Sequence, residues 1–144
     1  MSFRKLMIPI ALVAYVVGIP GCSQSKIDGL SGKWQLFNMN NISDPNYYVW
    51  DFTDGRLNIY KYPNPPIPGG PDFFVIADAD YETKAEFIDA VINISNLMVN
   101  GQHQWATPQV SEGEWTSVEI DEEIMRLDTE SQGGHVIREF TRVK

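Results

Sequence analysis

One cysteine, two histidines and eleven basic residues in a chain of 144 leave several kinds of chemistry without their raw material. A single thiol excludes an intrachain disulfide framework, a Cys-rich zinc site and a dithiol redox pair. Eleven Lys and Arg against nineteen Asp and Glu give a net charge of −8, the wrong sign for a phosphate-backbone partner, so nucleic acid is not expected. No G-x-G-x-x-G, P-loop or G-x-S-x-G elbow occurs, and no stretch alternates like a long amphipathic helix. What is present is 43% apolar residues, with four Trp, six Tyr and seven Phe. That is enough to fold one domain and argues against wholesale disorder.

The amino terminus has the three parts of an export signal. Arg4 and Lys5 precede the uncharged run Leu6 to Ile19, and Pro20-Gly21-Cys22 follows. Those fourteen residues fall short of the roughly eighteen that span hydrocarbon as a helix, and Pro9 interrupts them. Ile19, Pro20 and Gly21 before the sole Cys resemble the lipobox of bacterial lipoproteins, with Pro20 at a place where Ala or Ser is more usual. The resemblance implies cleavage after residue 21, with a thioether-linked diacylglycerol and an amide-linked acyl chain such as palmitate on Cys22. The methylenes of those chains would contribute about 0.8 kcal/mol each on burial in a bilayer. Ser23 rather than Asp after the Cys implies delivery to the outer membrane of a two-membrane cell, so the expected address is the cell envelope, on either face. An ordinary signal peptide leaving a free Cys is the alternative.

Cleavage would remove two basic residues and no acidic ones, leaving nine against nineteen. An acidic body beside anionic lipid is repelled from the headgroups. Residues 22–31, rich in Ser, Gln, Lys, Asp and Gly, are expected to be a flexible tether, with the folded domain at 32–144.

From Gly32 onward the apolar period is two. Tyr47 to Thr53 and Arg56 to Tyr62 flank Asp54-Gly55, a type I′ hairpin signal. A two-residue turn pairs Thr53 with Arg56, so partners have numbers summing to 109: Phe52 opposes Leu57, Trp50 opposes Ile59, and Tyr48 opposes Lys61. Phe73 to Glu82, Phe87 to Ile94, Trp115 to Ile120, Ile124 to Thr129 and Val136 to Val143 read as further strands. Lys84 to Ile94 also fits helical spacing, but Ile88, Ala90, Ile92 and Ile94 on one face favour a strand. Leu97 to Val110 is irregular, with Asn100-Gly101 as a possible turn. With Trp34 to Met39 the total is about eight or nine strands, which predicts an all-β chain forming an up-and-down antiparallel β-barrel or a strongly curved sheet.

Gly32-Lys33-Trp34 after Leu30-Ser31 resembles the G-x-W signature of lipocalin barrels, and the order of the Asp54-Gly55 hairpin, the Trp115 strand and the closing Phe140-Thr141-Arg142 is similar to small lipocalin-like domains of secreted lipoproteins. The resemblance covers roughly residues 30 to 143. It implies that Trp34 closes the narrow end of the barrel with a cationic side chain, Arg142 in preference to Arg138, packed across it. Such a contact is worth about 0.5–2 kcal/mol. The second lipocalin signature, a Thr-Asp-Tyr turn, is missing, no disulfide ties the closing segment, and the chain is shorter than standard lipocalins. The calyx is therefore expected to be shallow or filled.

Catalytic and metal-binding candidates each have a plainer explanation. His103 and His135 lie thirty-two residues apart in polar settings, which suits exposed loops better than zinc. Asp78, Asp80 and Glu82 share one strand face, a pattern for calcium or a carboxylate pair, but also for a solvated surface. Asp121-Glu122-Glu123 is most simply a hydrated turn. No metal, cofactor or enzymatic activity is expected. Two features point to binding: the aromatic density from Tyr48 to Tyr81, and the stiff proline-rich segment Tyr62 to Pro71. The expectation is a membrane-anchored envelope lipoprotein whose barrel takes a small apolar or amphipathic ligand, with Tyr48, Trp50, Phe52, Leu57 and Ile59 as wall residues. The alternative is a filled barrel that binds an envelope protein partner through its loops, as a complex subunit or enzyme inhibitor.

Overall fold

A computed structural model describes residues 20–37, 45–100, 110–131 and 134–144. The order is α1 (Pro20–Leu30), β1 (Gly32–Leu36), β2 (Tyr47–Thr53), β3 (Arg56–Tyr62), β4 (Phe74–Glu86), β5 (Asp89–Val99), β6 (Gly113–Ile120), β7 (Ile124–Ser131) and β8 (Gly134–Arg142). Each strand pairs antiparallel with the next, and β8 returns to β1 through Trp34↔Arg142 and Leu36↔Phe140, closing an eight-stranded barrel. The all-β, up-and-down barrel is consistent with a lipocalin-like fold.

The β2–β3 register is Thr53↔Arg56, Phe52↔Leu57, Trp50↔Ile59 and Tyr48↔Lys61, as the turn arithmetic requires. Asp54 and Gly55 both take positive φ, 51° and 77°, which is the backbone signature of a type I′ turn and the reason Asp-Gly specifies this hairpin. Gly32 at φ 118° swings the chain from α1 into β1, and a Cβ there would meet the Arg142 guanidinium at 3.0 Å. Both constraints demand glycine, and together they account for the first residue of the G-x-W pattern.

Residues 22–31 do not form a tether. All but Ser31 lie in α1, where Ser23 and Leu30 are buried. Pro20 at the first helical position loses no hydrogen bond, Gln24 Nε2 donates to Asp28 Oδ1 one turn on, and Lys26 Nζ donates to Asp89 Oδ1 and to the carbonyl of Val118 (3.0 Å). Composition missed this because α1 has no apolar stripe of its own; a few specific contacts to the barrel end hold it.

Two further expectations are corrected. Ile88 does not share a face with Ala90, Ile92 and Ile94. It sits with Phe87 in the β4–β5 turn, where Phe87 takes φ 52° and the two side chains are 89% and 61% exposed. A left-handed turn built from apolar residues carries no Gly, Asn or Asp signal. Leu97 to Val99 belong to β5, while Asn100-Gly101 as a turn falls partly outside the described residues.

Candidate functional site

Alternation and register sort every strand residue onto the barrel's inner or outer face. The five residues expected to line a ligand cavity, Tyr48, Trp50, Phe52, Leu57 and Ile59, all point inward, and none is more than 1% exposed. They are occupied by one another and by the facing strands. Trp50 meets Phe140, Trp115 and Phe52 at centroid distances of 5.0, 5.8 and 6.2 Å, and Phe52 meets Tyr81 edge-on at 5.2 Å. These side chains form a packed floor, and the aromatic density of the sequence is core here. A ligand would have to sit above them.

At the α1 end the floor is sealed. The Arg142 guanidinium lies 4.0 Å over the Trp34 ring and donates to the carbonyls of Gly29 (2.6 Å), Ser31 (3.1 Å) and Glu122 (3.0 Å). Trp34 Nε1 donates to the Leu30 carbonyl at 2.8 Å. One planar cation thus joins the helix, the first strand and the β6–β7 turn.

Toward the opposite end the inner face changes. Lys61, Phe74, Leu97, Val136 and Arg138 are only half-buried. Lys61 shares the inner face with Tyr48, its register partner, and Arg138 shares it with Leu127. Charge segregates with the faces: among the described strands every Asp and Glu falls outward, while Lys61, Arg138 and Arg142 are the inward charges. Burial pushes the Arg138 guanidinium below its usual pKa.

The outer face carries the remaining candidates. Arg56 pairs with both Asp78 (2.7 Å) and Asp80, and Asn96 donates to Asp80 at 2.8 Å. The Asn96 and Arg56 contacts hold the Asp80 carboxyl below the usual range. These acids share one guanidinium and form a solvated surface cluster. Asp121 Oδ1 accepts the amides of Glu123 and Ile124 at 2.7 Å each, so it is the structural acceptor of a turn. His135 lies between Glu130 (2.9 Å) and Asp128 (3.1 Å) in an outward cleft of about 470 Å³ that Glu114 also lines. His103 falls outside the described residues, among which no group of three His, Cys, Asp or Glu side chains is placed to hold a metal ion.

A second outward groove, of about 280 Å³, is lined by Lys33, Gln35, Tyr47, Val49, Tyr62 and Val143. It adjoins the proline-rich segment, in which Ile67 is exposed, and just beyond it Phe73 packs on Tyr60 (5.1 Å) and Tyr62 (5.6 Å). The sequence flags the aromatic density from Tyr48 to Tyr81 as a whole but does not separate this outward patch from the core, because alternate positions of the same strands supply both. No family model matches the chain, and no curated protein or solved structure matches it significantly.

Proposed function

We propose that this is a lipid-anchored envelope protein whose barrel binds a small amphipathic molecule in a shallow mouth, without covalent chemistry. The observation that carries the reading is the gradient along the inner face. The half nearer α1 is an aromatic floor without exposed surface, whereas the other half keeps Phe74, Leu97 and Val136 partly open to solvent. Apolar walls above a solid base suit the tail of a short amphipath and leave no room for a long chain passing through the waist. Titration with a panel of lipids and hydrophobic dyes tests it: tryptophan fluorescence should change for some members, and a flat response to all of them rejects ligand binding.

Anchoring through Cys22 rests on the lipobox resemblance. Because α1 packs on β4, β5 and β6, acyl chains on Cys22 would hold the body directly at the headgroups by its α1 end, with the mouth facing away. The bare Phe87-Ile88 tip supports this orientation. It belongs to the hairpin that Lys26 ties to α1, and its flanking carboxylates Asp89 and Glu86 are paired with Lys26 and Lys84 at 2.9 Å each, which relieves the acidic chain's repulsion from lipid at that one place. Fractionation of Cys22→Ser tests the anchor: release into a soluble compartment is expected, and an unchanged membrane fraction refutes it.

The outward patch of Tyr47, Tyr62 and Phe73 favours a second reading, a protein-interaction module that uses the proline-rich segment. Replacing Pro65, Pro66 and Pro68 by Gly should then abolish co-purification of a partner while the barrel stays folded. Unchanged co-purification removes that reading.

A further inference from the structure

Two buried side-chain polar atoms among the described residues have no hydrogen-bond partner, Trp50 Nε1 and Arg138 Nε. Both are donors, and both belong to the inner face. Arg138 stands halfway along β8, four residues from Arg142, with Phe140 between them on the same face and in contact with the Trp50 ring at 5.0 Å. Its one hydrogen bond among the described residues runs from Nη1 to the carbonyl of Ile137, its own neighbour (2.8 Å). No carboxylate among the described residues pairs with it.

A guanidinium carries five N–H donors in a planar fork matched to carboxylate and phosphate oxygens. Burying part of that fork, Nε above all, without an anion is unfavourable. The expense is unusual in a chain with eight more acidic than basic residues, where a counter-ion on a facing strand would be easy to supply. Instead the strand carboxylates are turned outward, and the second cation of the open half, Lys61, is also turned inward. The inner surface of the open half is thus apolar with cationic points.

From these placements we infer that the barrel interior recognises an anionic amphipath, whose oxyanion head is received by the Arg138 guanidinium and whose apolar tail lies against the half-buried Phe74, Leu97 and Val136. The inference rests on the mouth-binding reading above and adds the ligand's charge and the residue that reads it. Lys61 adds a second positive charge on the same inner face. The head group is a carboxylate or a phosphate-type oxyanion, and the tail is short, since Trp50, Phe52 and Phe140 fill the floor.

The test uses the full chain with two probes of equal length, dodecanoate and 1-dodecanol, each below its aggregation threshold and followed by tryptophan fluorescence and calorimetry. The unmodified protein is expected to bind dodecanoate at least tenfold more tightly than dodecanol. Arg138→Met should erase that preference while keeping the dodecanol affinity, and Arg138→Lys should keep part of it. Equal affinities of the unmodified protein for the two probes overturn the anionic-head inference and leave mouth binding intact. Failure of both probes to bind overturns both. Inorganic sulfate that raises the melting temperature as much as dodecanoate assigns Arg138 to a free oxyanion and overturns the amphipath. If Arg138→Met does not fold, the comparison of probes on the unmodified chain and on Arg138→Lys decides alone.

Discussion

Arg142 and Arg138 occupy the same face of the same strand, yet they are treated in opposite ways. Arg142 stacks on an indole and satisfies three carbonyls from two segments. Arg138 spends one donor on its neighbour's carbonyl and leaves Nε without an acceptor. The first cation holds the fold together and the second is supported by it. A buried polar group whose needs are met inside the protein is structural, and one whose needs are unmet is a candidate for meeting something else. The same contrast divides the barrel into a sealed half at α1 and a half where inner side chains stay partly wet.

The largest effect should come from emptying the sealed half. Trp34→Ala removes a wholly buried indole, the surface on which Arg142 stacks and the donor to the Leu30 carbonyl, and should cost about 3–5 kcal/mol of unfolding free energy, read from urea midpoints. A smaller loss, about 2–3 kcal/mol, is expected for Arg142→Met, which strands three carbonyl acceptors and frees α1. Limited proteolysis should then cut within 20–31 before the barrel. If Arg142→Met proves neutral, the seal is made by apolar packing alone, and the contrast between the two arginines loses its basis.

Much of the sealed half was legible in the sequence. Period-two alternation needs only neighbours along the chain, and Asp54-Gly55 fixes a register because a two-residue I′ turn permits only one. The resemblance that picked Trp34 and Arg142 also named a pair that meets in space. What stayed hidden depends on distant contacts. α1 is ordered by Lys26 reaching Asp89, sixty-three positions away, and the β4–β5 turn is imposed on Phe87 and Ile88 by the pairing on either side. The role of Arg138 was hidden for a related reason. Its inward direction follows from alternation with Phe140, but the lack of a counter-charge among the described residues becomes visible only when all eight strands are sorted by face.

In the open half the expected sign reverses. Arg138→Met replaces a half-buried, poorly satisfied cation by an apolar side chain of similar length, so it should raise the unliganded unfolding free energy slightly, by at most about 1 kcal/mol. A loss comparable to that of Arg142→Met would place Arg138 among the structural groups. On that outcome the half-buried mouth would be a flaw in packing and not a site.

The smallest effect belongs to the third cationic group of β8, His135, which faces outward and is shared between two acids. Its hydrogen bond to Glu130 raises its pKa above the ordinary value near 6.5; desolvation opposes this, and the hydrogen bond to Asp128 and the charges of both acids reinforce it. Glu114 lines the same cleft, and Arg126 on the neighbouring strand already pairs with Asp128 at 3.3 Å, so the imidazolium competes with a guanidinium for one of its partners. A group whose pKa is raised on folding stabilises fully below its unfolded value, and the contribution fades as pH climbs through the folded one. Melting temperature should therefore decline gently from about pH 6.5 upward, and His135→Gln should flatten that part of the curve while leaving dodecanoate binding unchanged. A decline that persists in His135→Gln would assign the titration elsewhere. A change in dodecanoate affinity would show that the two faces of β8 are coupled and not separate.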